Sequence, residues 1–387
     1  MSETNKKLLA YSLKYLKKIL KDNKLSVYGN KEVLIDRILD NLDIEFEEEK
    51  DEEEKETDSK YIKEDQLSKI SRTGYGSDIN SLIFNHLKNK DLINLILAYM
   101  INKKTLSYIL YDLKDRIIDV GDNKELAKEL SKLGFKVKLD LSLISVTDVS
   151  ALGSIHTLNL SHANVIDVRA LSKVHTLDLS HTKVTDVSAL GKVHTLNLCE
   201  TNVTDISSLG KVHTLNLGGT PVKDVSALGK VHTLNLYRTN VTDVSALGKV
   251  HTLDLSITNV TDVSTLGKIH TLSLSGNVTD VSALGKVHAL NLSFTNVTDV
   301  SSLGKVHTLN LSYTNVKDVS ALGLVYTLNL SNTQVTDVSD LGNVHTLKLS
   351  ETQVTDVSAL GNVHTLDLSE TQVTDVSALG NVHTLIR

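Results

Sequence analysis

The chain has 387 residues and a single cysteine, Cys199. That excludes a disulfide framework and fits a reducing compartment. No stretch approaches the ~18 consecutive apolar residues of a membrane span. The opening segment, M-S-E-T-N-K-K-L-L-A-Y-S-L-K, lacks the uninterrupted apolar centre of a signal peptide. An intracellular location, nuclear or cytoplasmic, is therefore expected. The sequence also shows no glycine-rich phosphate loop, no cluster with zinc-ligand spacing, and no isolated nucleophile beside a base. No catalytic residue, metal or cofactor is assigned on this reading, and the expectation is a protein that is not an enzyme. The net charge of −6 is modest but unevenly placed, and the length leaves room for two or three domains.

What the chain has in abundance is repetition. The nineteen residues Val174 to Lys192, V-H-T-L-D-L-S-H-T-K-V-T-D-V-S-A-L-G-K, recur with small changes to the C-terminus. Histidine marks the period from His156 to His383, with one eighteen-residue step between His270 and His288 and Tyr326 standing in once. A weaker unit, Lys136 to Ser154, comes first. Within a unit the alternation Leu177, Asp178, Leu179, Ser180 predicts a short strand with one buried face. The remainder, T-D-V-S-A-L-G, has room only for a tight turn or one turn of 3₁₀ helix. One such unit cannot bury its own apolar edge, so the copies must stack strand beside strand.

The spacing L-x-x-L-x-L resembles the leucine-rich repeat family, in particular its short units of the internalin kind. The resemblance implies a parallel-strand solenoid over residues 136–387. The sequence departs from that family in carrying threonine (Thr182, Thr201, Thr220 and their equivalents) where the family has a ladder asparagine. The threonine hydroxyl is expected to satisfy neighbouring backbone amides instead.

The N-terminal part has a different character. Leu13, Leu16, Ile19 and Leu20 form one face of a helix whose other face carries Lys14, Lys17, Lys18 and Lys21. A turn at Gly29-Asn30 leads into a second helix from Lys31, with Leu34, Ile35, Ile38, Leu39 and Leu42 as its stripe. The order L-S-V-Y-G-N-K-x-x-L-I-x-R resembles the SAP domain, a helix, extended loop, helix module. That likeness implies DNA binding through Lys14, Lys17, Lys18, Lys21, Gly29, Asn30, Lys31 and Arg37, although Lys24 stands where the family usually has glycine. Residues 1–42 hold nine Lys or Arg against five acids, and amides at a helix N-terminus form a ready phosphate site.

Residues 43–60 read as a disordered acidic linker, since 43–58 carry eleven acids and two lysines. Residues 61–121 are apolar with a helical pattern. Within them, 78–110 resembles the F-box, the helical motif that docks on the adaptor of ubiquitin ligases, but lacks its leading Leu-Pro and later tryptophan. Residues 122–135 predict a helix opened by Asp122 with Glu125, with a stripe of Leu126, Leu130 and Leu133, acting as the N-terminal lid of the solenoid. The fold class is thus α+β and multi-domain: an N-terminal helical SAP-like module, a central helical region, then the leucine-rich-repeat solenoid.

Stacking in register turns each repeated position into a row. The histidines read as exposed or half-exposed. Crowding should resist their joint protonation, depressing folded pKa values below the unfolded ~6.5. The aspartates from Asp148 to Asp375 precede V-S-x-L and suit a side chain that accepts amide hydrogens two or three residues on. The position after L-x-L-S varies most. There, with Tyr237 just before it, Arg238, Ile257, Phe294 and Tyr313 form an aromatic and apolar strip, expected on the strand face, that suits a protein partner. The leading expectation is a DNA-associated interaction scaffold. The alternatives are a ubiquitin-ligase substrate receptor of the F-box kind and a scaffold that self-associates through an uncapped C-terminal end, with Arg387 in place of a core leucine.

Overall fold

The structure is a computed structural model that describes residues 116–387. The SAP-like module with its DNA-binding candidates Lys14 to Arg37, the acidic linker and the F-box-like segment 78–110 all lie outside the described residues. The chain divides into two compact units, Met1–Leu139 and Asp140–Arg387.

In the first unit, strand Ile117–Asp119 pairs in parallel with Lys136–Asp140, Ile117 opposite Lys136 and Asp119 opposite Lys138. The helical pattern read up to residue 121 therefore ends earlier, in a strand. This pair already has the nineteen-residue offset of the later repeats, so the periodicity begins one unit before Lys136. It is masked in sequence because the unit has no histidine and holds a full helix, Lys124–Lys132. That helix was anticipated, but its cap is Asn123, whose side chain accepts the Leu126 amide hydrogen, and not Asp122. Ala127 and Leu130 are its buried residues.

The second unit is built from short strands running from Thr157–Asn159 to Thr384–Ile386, each three or four residues long. Successive strands pair in parallel and in sequence order, leucine beside leucine, as in Leu196 beside Leu215 and Leu215 beside Leu234. The pleat explains the burial: in Thr195–Asn197 the central leucine is buried and its flanks half-exposed. Val193, Leu196, Leu198, Val203, Ile206 and Leu209 of one unit are all 3% exposed or less. Burying each such side chain stabilises by roughly 1.5–3 kcal/mol, which a lone unit could not realise.

Opposite the strands run eleven 3₁₀ turns, from Arg169–Leu171 to Ser377–Leu379. The aspartate row fixes their entry: Asp205 Oδ1 accepts the Ser207 amide hydrogen at 3.0 Å, and Asp243 that of Ser245 at 2.9 Å. Ten of the eleven 3₁₀ turns end on glycine, the first ending on Ser172, and the reason is unrelated to backbone freedom, since Gly210 has φ −61°. A Cβ there would press into the Ala227 carbonyl oxygen of the next unit, and one on Gly191 into that of Ser208. The glycine row lets neighbouring turns close on one another.

The eighteen-residue unit loses its residue in the turn after the strand. Strand register survives, with Leu272 beside Leu290, but the threonine row skips from Thr258 to Thr295. The strain of the deletion shows in the histidines. The rings from His156 to His383, Tyr326 included, form one continuous stack with centroids 4.4–4.8 Å apart. Only the His270–His288 pair is tilted, by 31°.

Overpacking the turn face should be costly while its variable positions are free. Gly210→Ala is expected to lower stability by about 1–3 kcal/mol. Ala227→Ser, which copies the natural Ser208 and Ser302, should stay within about 0.5 kcal/mol. Urea unfolding followed by circular dichroism measures both.

Candidate interaction surface on the solenoid

The turn leaving each strand is held by three kinds of contact. The residue after the strand's central leucine, asparagine or aspartate in most units, accepts the amide hydrogen two residues on: Asn197 from Cys199 at 3.1 Å, Asp254 from Ser256 at 2.9 Å. The ladder threonine donates its hydroxyl to a carbonyl of its own unit, Thr201 to Leu198 at 2.7 Å and Thr239 to Leu236 at 2.7 Å. This corrects the sequence expectation: the hydroxyl satisfies a buried carbonyl three residues back, not neighbouring amides. Between them stands a residue in the left-handed region, whose amide hydrogen reaches the next unit, as from Glu200 to Gly218 O at 2.8 Å and Arg238 to Ser256 O at 2.9 Å.

That left-handed residue is the variable position of the repeat. Leu143, His162, His181, Glu200, Arg238, Ile257, Phe294, Tyr313, Asn332, Glu351 and Glu370 have φ between 55° and 61°, with Gly219 and Gly276 completing the column. Glycine or asparagine is the ordinary occupant of such a conformation, and a β-branched residue there is a true outlier. Here the column carries isoleucine, phenylalanine and tyrosine. It belongs to the turn at the strand's end and not to the strand face on which the sequence reading placed it.

The candidate residues fall into two groups along this edge. Tyr237, Ile257, Phe294 and Tyr313 are 40%, 57%, 62% and 50% exposed. Phe294 and Tyr313 stack with centroids 4.5 Å apart. Arg238 reaches back over Gly219 to Glu200, Nη1 to Oε1 3.6 Å; a side chain on Gly219 would run into the Glu200 carboxylate. An exposed pair of this kind contributes at most about 1 kcal/mol, so its effect is to orient the guanidinium. The short unit, with Gly276 at φ 89°, separates Ile257 from the Phe294–Tyr313 pair and leaves a notch between them. One further row is legible as a repeated G-K dipeptide: the lysine that follows the turn glycine from Lys192 to Lys305.

The aspartates of the turn-entry row, from Asp167 to Asp375, are all shifted downward. The Arg169 guanidinium holds Asp167 down to about 2. The Ser245 amide hydrogen and then its hydroxyl lower Asp243, and Ser301 does the same for Asp299. Burial first, then the neighbouring His251 and His288, lowers His270. Burial raises the Cys199 thiol, with Glu200 and Asp178 adding to it. Most row histidines also face their own following threonine, His194 Nδ1 lying 3.2 Å from Thr195 Oγ1. At His288 that residue is Ala289. Among the described residues no group of three or more His, Cys, Asp or Glu side chains converges as a metal site, and no helix is long and apolar enough to cross a membrane.

No protein-family model and no curated protein sequence matches the chain. Among solved structures, an internalin (InlF) of Listeria monocytogenes is similar over 76% of this chain and 96% of its own, at 23% identity and TM-score 0.57. A leucine-rich repeat protein of Leptospira interrogans covers 69% of this chain and 82% of its own, at 18% identity and TM-score 0.56. The functional domain of InlJ from Listeria monocytogenes, described as including a cysteine ladder, covers 64% and 62% at 21% identity and TM-score 0.51. The fold is thus the parallel-strand solenoid of leucine-rich repeat proteins, as the nineteen-residue unit implied.

A fall in pH should loosen the solenoid in two stages. A histidine whose folded pKa is lowered contributes stability that is complete above the ordinary value of 6.5 and is lost as pH drops below it. Aspartates with lowered folded pKa values keep their contribution until pH falls below the ordinary 3.8. The melting temperature is expected to be level from neutral pH upward and to decline below 6.5. Since Tyr326 already fills the ring stack, His270→Tyr should keep the fold and flatten part of the decline. A thermal series across that range in both proteins checks this, and an unchanging melting temperature would sink it.

Proposed function

We propose that the solenoid is a non-enzymatic protein-interaction scaffold whose recognition strip is Tyr237, Arg238, Ile257, Phe294 and Tyr313. One observation carries this reading. In an array whose buried positions are nearly invariant, the single column forced into left-handed backbone carries large, exposed, mutually different side chains. Strain retained at surface positions that a glycine would relieve points to a use outside the fold. Tyrosine and arginine beside exposed apolar groups are the usual anchors of protein interfaces. The basic balance of residues 1–42 supports a second contact, with DNA, made by the SAP-like module; salt-sensitive retention of the full chain on duplex DNA tests it.

The strip is tested by comparing what the full chain captures from a lysate with what the variant Tyr237→Ser, Phe294→Ser, Tyr313→Ser captures, by quantitative mass spectrometry. The variant is expected to melt as the parent does and to lose the specific partners. Identical capture would refute the assignment. A second measurement separates binding from stability. Ile257→Asn, which copies Asn332, should leave the fold as stable as before or raise its stability by up to about 1 kcal/mol while weakening capture.

A further inference from the structure

The 3₁₀ face of the second unit carries a continuous open trough of about 1750 Å³. It is lined by small residues, such as Ser207, Ala227, Gly229 and Ser245, and by a lysine from each of eight successive repeats. Small-molecule pockets occupy roughly 300–1,000 Å³ and enclose their ligand, so a trough of this size and openness suits a polymer. The lysines recur every nineteen residues from Lys173 to Lys268, then at Lys286 and Lys305. At Leu324 the row ends, and the trough ends with it. The same position is then Asn343, Asn362 and Asn381.

These lysines are exposed, and among the described residues none of them takes part in an ion pair or hydrogen bond. Asp224, Asp243 and Asp299, at the entry to their turns, are held down by serine amides and hydroxyls, and Asp243 is raised in turn by Asp224 and Asp262. Each lysine therefore has a like charge in the next unit, about one strand spacing of ~4.8 Å away, and no carboxylate within ion-pair distance. The array is a linear electropositive edge beside a slim floor.

We infer that this trough binds an extended acidic polypeptide. A duplex or single-stranded nucleic acid would meet the same charge, but base recognition on single strands relies on aromatic stacking platforms, and the trough floor offers only serine, alanine, glycine and threonine. That floor is low enough for a bare backbone, whose Asp and Glu side chains would reach the lysine edge. Seven steps of strand spacing between Lys173 and Lys305 give a length of ~34 Å, which an extended peptide spans with about ten residues. The site lies on the 3₁₀ face and is independent of the turn strip proposed above.

The test is fluorescence anisotropy of a labelled oligoglutamate of about ten residues titrated with the full chain. Binding is expected at low salt and should weaken as the Debye length shrinks. The triple variant Lys211→Gln, Lys230→Gln, Lys249→Gln should bind about tenfold more weakly, and the corresponding arginine triple should bind as the parent does. Since asparagine fills this position in later units, the glutamine triple is expected to melt with the parent. A second triple, Lys14→Gln, Lys17→Gln, Lys18→Gln, should leave peptide binding intact. The inference is overturned if the peptide does not bind, if the trough triple binds like the parent, or if the N-terminal triple abolishes binding. It is also overturned if an oligothymidylate of equal charge binds more tightly than the peptide and loses that binding in the trough triple.

Discussion

Every unit of the solenoid has an apolar edge that it cannot cover by itself, and the structure follows from copies meeting that edge in register. Leu196 is buried because Leu177 and Leu215 flank it across two parallel strand pairings. No residue of its own unit could do the same. The constraint acts on the repeat length more than on residue identity. A unit one residue shorter is accepted where the loss falls in a turn, between Leu274 and Val278. A loss within the strand would put leucines on the solvent face. The ring stack records the cost of the accepted deletion as a tilt between His270 and His288.

Because the core fixes the strands, the turns are left to be fixed by polar side chains, and they are held redundantly. An aspartate or asparagine oxygen caps an amide on entering both the 3₁₀ turn and the strand-end turn. A buried threonine hydroxyl binds a carbonyl in the second, and the left-handed residue ties its own amide to the next unit. This redundancy explains how Ile257, Phe294 and Tyr313 persist at φ values that disfavour them: the conformation is set by contacts made around the residue, so the side chain itself is free to vary.

How much of this was legible in the sequence depended on whether the cause was local. Period-two alternation predicted the strands, the brevity of T-D-V-S-A-L-G predicted the 3₁₀ turns, and the aspartate before V-S predicted the capped amide. All three are interactions within a few residues. The role of Gly210 was not readable, because its reason is a carbonyl in the following unit and its φ is ordinary. The left-handed column was hidden for the opposite reason. Its usual markers, glycine and asparagine, appear only at Gly219, Gly276 and Asn332, and the remaining occupants gave a signal of surface variation without its backbone cause. The strand Ile117–Asp119 escaped because a helix interrupts its unit. The threonine row is legible in the sequence, but the direction of its hydrogen bond depends on which neighbouring group is buried, and spacing does not carry that.

Rows of repeated residues also divide the solenoid lengthwise in a way the core does not see. Up to Lys305 the edge of the 3₁₀ face is cationic, and the left-handed column passes from histidine through arginine to aromatic residues. Beyond Leu324 and Tyr326 the same positions read Asn343 and Asn362 on one row and Asn332, Glu351 and Glu370 on the other. The buried valines and leucines are identical in kind on both sides of that point. Charge can therefore change along the rod without a packing penalty, since these positions are exposed and lie outside the leucine core. A frame in which stability is set by one set of rows and surface chemistry by another can change its binding properties one unit at a time.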